Sequence, residues 1–186
     1  MKANDIRKGM VLLYNNQPYR VMSFMHNTPG KGGALVQTKM RNLLNGTQTE
    51  VRFNSTADVE RADVSTFGAT YLYNDVDGYH FMNTDTYEDT ILSEDVMGDS
   101  KYYLHDEMAV TITVFGEQPI GVELPSSVIL TVTETEPELK GATQTNSYKP
   151  AKTDTGLALG VPPFIKEGEK IVVNTDDGTY IGRANA

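Results

Sequence analysis

Tyr19-Arg20-Val21-Met22-Ser23-Phe24-Met25-His26-Asn27-Thr28-Pro29-Gly30-Lys31-Gly32-Gly33-Ala34-Leu35-Val36-Gln37-Thr38 is the stretch from which the fold is read. Its two flanks, Tyr19 to Phe24 and Ala34 to Thr38, are apolar-alternating or β-branched runs. The segment between them, His26 to Gly33, has no apolar anchor. Two strands joined by an exposed hairpin tip are predicted. Pro29 restricts the backbone while Gly30, Gly32 and Gly33 add no bulk, so Lys31 stands on a narrow projection suited to insertion into a crevice. A flexible loop with an incidental lysine fits the same residues. A phosphate-binding P-loop does not, because Walker A requires Ser or Thr after the lysine and Gly32 follows Lys31.

Outward from this hairpin the same pattern repeats. Met10 to Tyr14, Val51 to Phe53, Thr70 to Tyr73, Tyr79 to Met82, Val110 to Phe115, Val128 to Thr133 and Lys170 to Asn174 read as strands. Asn15-Asn16, Asn45-Gly46, Asp77-Gly78, Gly116-Glu117 and Asp177-Gly178 supply turn residues that tolerate positive φ. One short helix is predicted from Ser93, a plausible N-cap, to Leu104, interrupted at Gly98. Strands and turns this closely spaced predict an all-β chain of three small barrels, closure of which removes exposed sheet edges. The boundaries fall near the charged stretch Asp58 to Asp63 and near Pro125-Ser126-Ser127, giving units 1–64, 65–127 and 128–186.

Charge is distributed unevenly over these units. Residues 1–64 hold nine basic and five acidic side chains, 65–127 one and twelve, and 128–186 six and eight, or net +4, −11 and −2 out of −9. A basic head on an acidic body fits a ligand that turns one end toward RNA. The acidic middle reads equally as a solubilising surface. There is no cysteine, which excludes disulfides and thiolate zinc sites and is compatible with a reducing compartment. Met1 to Asp5 lacks an apolar h-region, and no stretch is long enough to span a bilayer, so a cytoplasmic protein without a membrane partner is expected. Asp75-Val76-Asp77-Gly78 lacks EF-hand spacing and reads as a hairpin turn. His26, His80 and His105 show neither metal-ligand spacing nor a neighbouring nucleophile motif. Neither an enzyme, a metal nor a cofactor is expected. The tyrosines of the middle, among them Tyr71, Tyr73, Tyr79, Tyr87, Tyr102 and Tyr103, are expected in the core.

Pro29-Gly30-Lys31-Gly32-Gly33-Ala34 followed by Lys39-Met40-Arg41-Asn42-Leu43-Leu44-Asn45-Gly46 resembles the first domain of the elongation factor P family. Thr70 to Asn74 with Phe81-Met82-Asn83 resembles its middle domain. Lys149-Pro150-Ala151, Gly156, Val161-Pro162, Gly168-Glu169 and Tyr180 resemble its C-terminal signature. The resemblance spans essentially the whole chain in order. It implies an SH3-like (KOW-type) barrel followed by two OB-fold barrels in an L-shaped, tRNA-like arrangement. It also implies a monomeric factor that binds the 70S ribosome, its rRNA and peptidyl-tRNA (prolyl-tRNA), and restores peptide bond formation at consecutive prolines. Lys31 would be the post-translationally modified residue, a substrate for a lysine-modifying enzyme, reaching toward the peptidyl transferase centre.

By the same resemblance Lys39, Arg41, Tyr180 and Arg183 are tRNA- or rRNA-contacting candidates. Thr145-Asn146-Ser147-Tyr148 stands where many relatives carry a Gly-Thr-Gly-Gly-like loop near exit-site messenger RNA. Leu35 and Gln37 replace a Phe and an Arg that many relatives place after the lysine loop, which removes one candidate phosphate contact. Two other readings stay open, a divergent paralogue of this family and a generic RNA-binding barrel protein.

Overall fold

Strict alternation along Leu35 to Asn42 sets the first sheet. In a computed structural model, which describes residues 1–30, 32–138 and 147–184, Val36, Thr38, Met40 and Asn42 are buried while Lys39 and Arg41 face outward, the period-2 signature of a half-buried strand. This strand is β3 (Leu35–Asn42), joined in one antiparallel sheet by β1 (Val11–Tyr14), β2 (Gln17–Asn27), β4 (Gln48–Asn54) and β5 (Glu60–Arg61), in the order β4-β3-β2-β1-β5. Asn15 and Asn16 both take positive φ, 48° and 60°, so a two-residue turn of the mirror-image type closes β1 onto β2. Leu12, Val21, Val36 and Met40 form the core beneath, with Ile6 from the N-terminal segment.

A second sheet holds β6 (Val64–Asn74), β7 (Tyr79–Asn83), β8 (Asp89–Leu92), β9 (Ala109–Phe115) and β10 (Gln118–Glu123), in the order β10-β9-β6-β7-β8. A third holds β11 (Ser127–Thr135), β12 (Lys149–Thr153), β13 (Ala158–Val161), β14 (Lys170–Asn174) and β15 (Tyr180–Arg183), in the order β13-β12-β11-β14-β15. Counted from the first strand of each, the second order is five-four-one-two-three, and the third is the same when read from its β15 edge. The edge strands β8 and β10 approach each other, as do β13 and β15, so each sheet curls toward closure. This structural repeat has no counterpart in visible sequence similarity.

The helix expected from Ser93 to Leu104 is a single α-turn, α1 (Glu94–Met97), capped by Ser93 Oγ, which accepts from Val96 N–H. It continues as a 3-10 segment, Gly98–Tyr103. Strands β5, β8, β10, β12, β13 and β15 have no forerunner in the expected set. Two of them contain proline: Pro119 in β10, an edge strand, and Pro150 in β12, paired only toward Gly160 of β13 and beyond the β11 ladder. Proline is tolerated at such positions. Of the middle tyrosines Tyr71 and Tyr103 are buried as expected, whereas Tyr73 and Tyr87 are exposed.

One apolar core runs through the second and third sheets, from Phe81 and Ile112 to Val132 and Ile171. Tyr103 seals the join. A Cβ on Gly178 (φ +72°) would lie 2.8 Å from its hydroxyl, so the Asp177-Gly178 turn needs glycine both for its conformation and for this contact. Thr155 Oγ1 donates to the Tyr102 carbonyl and Thr175 Oγ1 to that of Pro125.

His80 sits on β7 with its side chain buried between two carboxylates, Nε2 3.0 Å from Asp75 Oδ1 and Nδ1 3.2 Å from Asp89 Oδ2. Tyr73 stacks on the ring at 4.4 Å. Asp75 also accepts from the backbone N–H groups of Asp77 and Gly78, so the expected hairpin turn is tied to the imidazole. Two acceptors flanking one ring call for two N–H donors, which only the imidazolium provides. Hydrogen bonding to Asp89, then to Asp75, therefore raises the His80 pKa above its ordinary 6.5, and the bond to His80 holds Asp75 below 3.8. A raised folded-state pKa contributes stability fully below the unfolded value and loses it as pH rises through the folded one. The stability gap between wild type and His80→Gln is accordingly expected to be largest just below pH 6.5 and to narrow in alkaline buffer. Urea unfolding across that range measures it, and a gap that widens with pH contradicts the assignment.

Candidate nucleic-acid interface

The tip rises from a ladder that holds to its last rung. β2 and β3 remain paired to Asn27↔Leu35, and β4 reaches the same level through Leu35↔Asn54. Three strands therefore support the projecting loop, and Pro29, Gly30, Gly32 and Gly33 are all exposed. Lys31 itself lies outside the described residues. The glycines differ in what they do. Gly32 has φ +130°, a conformation L-residues resist. A Cβ on Gly33 would come within 3.3 Å of Asn54 Nδ2, whereas one on Gly30 would meet nothing within 4 Å.

Below the tip, Lys39 and Arg41 share the exposed face of β3. Arg41 opposes Arg20 of β2 in register, an unfavourable pairing of like charges, and the two guanidinium groups lean apart. That of Arg41 lies over its own turn, 3.6 Å from the Cβ position of Gly46, and that of Arg20 reaches 3.8 Å from that of Gly121 on β10. Among the described residues neither Lys39 nor Arg41 has an ion-pair partner. Arg52, on the exposed face of β4, was passed over by sequence reasoning. It opposes Gln37. Alternation along β4 signals its orientation, but its neighbours follow only from the register.

The third sheet gathers a separate group. Tyr148, 59% exposed, stands edge-on to Tyr180 at 6.2 Å between ring centroids. A Cβ on Gly160 would lie 3.2 Å from that of Tyr148, so Gly160 of β13 makes room for the ring. Tyr148 therefore bridges the seam between β13 and β15. Burial pushes the Tyr180 hydroxyl pKa up. Arg183 is already engaged: its guanidinium lies 4.7 Å over the Phe164 ring, and Nε is 3.3 Å from Glu169 Oε2. The guanidinium is thus held in one orientation, with the side chain about half exposed. Ser147 is exposed beside Tyr148, while Thr145 and Asn146 lie outside the described residues. The structure brings Tyr148 and Tyr180 together, and Lys39 with Arg41, on two different sheets. Among the described residues no group of His, Cys, Asp and Glu is arranged to hold a metal ion, and no helix is long and apolar enough to cross a membrane.

Family models match the chain in three consecutive blocks: the elongation factor P (EF-P) KOW-like domain over residues 2–59, the elongation factor P (EF-P) OB domain over 64–122, and elongation factor P, C-terminal, over 128–183. The chain is 46% identical over 182 residues to the elongation factor P of Acidobacterium capsulatum, covering 98% of each. It is 45% identical over 184 residues to that of Thermotoga maritima, covering 99% of this chain and 100% of the other. Among solved structures, the eukaryotic translation initiation factor 5A from Methanococcus jannaschii shares the fold at a TM-score of 0.52 and 17% identity, over 67% of this chain and 90% of its own. The first sheet is thus the KOW-like domain and the second an OB domain, and the chain, matched from end to end, belongs to the elongation factor P family of translation factors.

Proposed function

We propose that this chain acts in the cytoplasm as a monomeric elongation factor that binds the 70S ribosome beside peptidyl-tRNA and relieves stalling at consecutive prolines. Lys31, extended by a dedicated modifying enzyme, reaches toward the peptidyl transferase centre. Units 1–64, 65–127 and 128–186 serve as head, spacer and stem contact. One observation carries this reading: in a chain that aligns with the family along its full length, the exposed tip holding Pro29-Gly30-Lys31-Gly32-Gly33 is supported by three strands to its base.

The chemistry asked of such a tip is modest. Proline is a rigid nucleophile and a constrained donor, so its peptide transfer suffers from misalignment, which positioning relieves without a protein acid or base. A cation at the end of a lengthened side chain adds electrostatic support in a site closed to water, while the ribosome remains the catalyst. Lys39 and Arg41 supply phosphate contacts for tRNA or rRNA near the tip. Tyr180 and Arg183 supply stacking and phosphate pairing at the far end, and Tyr148 with Ser147 takes the place of the exit-site loop.

The natively purified protein is expected to raise synthesis of a consecutive-proline reporter about tenfold, the factor given by about 1.4 kcal/mol of barrier. The assay is reconstituted translation lacking this class of factor. Lys31→Ala is expected to give little rescue, and a proline-free reporter to respond to neither protein. Equal rescue by both would sink the lysine mechanism. The tip glycines separate structure from function in the same assay. Gly32→Val forces a strained φ costing about 1–3 kcal/mol and lowers Tm by several degrees, at about 2–4 °C per kcal/mol. Gly30→Val is expected to leave Tm unchanged yet lose rescue, because only a crevice outside the protein limits bulk there.

A further inference from the structure

Residues 17–54, which span β2 to β4 and the tip, contain five basic side chains, Arg20, Lys31, Lys39, Arg41 and Arg52, and a single carboxylate, Glu50. Glu50 stands opposite Lys39 in register, where an ion pair would be the ordinary outcome. Instead Glu50 accepts a hydrogen bond from Gln37 Nε2, and among the described residues neither Lys39 nor Arg52 has a carboxylate partner. Arg52 faces Gln37 directly and Lys39 diagonally, separations of about 5 Å and about 7–8 Å between Cβ atoms. Arg52, Gln37, Leu35 and Asn27 also line a depression of about 110 Å³ at the base of the tip.

We propose that Arg52 is a phosphate-contacting residue of this chain, acting with Lys39 on an RNA backbone that crosses the exposed face of the first sheet beside the tip. The cation stands on β4 because position 37 carries an uncharged side chain whose amide occupies Glu50. A guanidinium presents paired donors that match a phosphate, and the depression beside it accommodates one. The strand ladder makes positions 37 and 52 interchangeable locations for a single charge, since they are register partners on one face. RNA is favoured over an acidic protein segment by charge complementarity, because a five-to-one excess of cations spread across adjacent strands suits a ligand with a charge on every residue. This inference rests on the ribosomal reading above.

The test is equilibrium binding of the full-length protein to 70S ribosomes carrying peptidyl-tRNA, measured against potassium chloride concentration. Arg52→Gln is expected to weaken binding several-fold at low salt and to flatten the slope of log K against log salt by about 0.7–1, the signature of one lost phosphate contact. The exchange variant Gln37→Arg, Arg52→Gln is expected to recover the slope with an unchanged thermal midpoint. A slope unaltered by Arg52→Gln, or a loss that the exchange leaves in place, overturns the proposal. Wild type that fails to bind overturns it together with the ribosomal reading, which the proline reporter decides independently.

Discussion

Everything presented at the tip depends on the register in which β3 is held between β2 and β4. Side chains alternate strictly along a strand, so a slip of one residue would exchange Val36 and Met40 for Gln37, Lys39 and Arg41 and bring cations into the core. Burial of the apolar set therefore fixes which face carries charge. The irregularity between Val21 and Ser23 in β2 is compatible with this control, because pairing resumes beyond it and continues to Asn27. A loop with no core of its own is located by the strands beneath it.

The middle sheet solves a different problem. Its twelve carboxylates against one lysine, Lys101, leave self-repulsion on a small body. Two of these carboxylates, Asp75 and Asp89, are drawn onto His80, where they tie the 75–78 turn and strand β8 together. Glu94 is paired with Lys101. Part of the negative charge of this unit therefore holds strands in place.

Much of this was legible in the residues and some of it was not, for definable reasons. Alternation exposed the hairpin 19–38 and most of the long strands, and the Asn and Gly turns fell where positive φ was required. The strands that escaped notice are short or edge segments such as Glu60–Arg61 and Asp89–Leu92, whose pairing comes from neighbours rather than from their own propensity. Proline at 119 and 150 disguised two more. At the candidate interface the tip glycines and Lys39 with Arg41 were visible as local pattern. Arg52 opposite Gln37, Tyr148 against Tyr180 and His80 between Asp75 and Asp89 were not, since each depends on which strands lie side by side. The Glu169 and Phe164 contacts of Arg183 were hidden for the same reason.

The core shared by the second and third sheets makes those two units poor candidates for separate existence. Severing the chain between β10 and β11 would divide one continuous apolar cluster, parting Phe81 and Ile112 from Val132 and Ile171, and would uncover Tyr103 where it meets the Gly178 turn. Each fragment would be prone to self-association. Joined, they make the Asp177-Gly178 turn, two residues before Tyr180, part of the seam, because it rests on the Tyr103 hydroxyl.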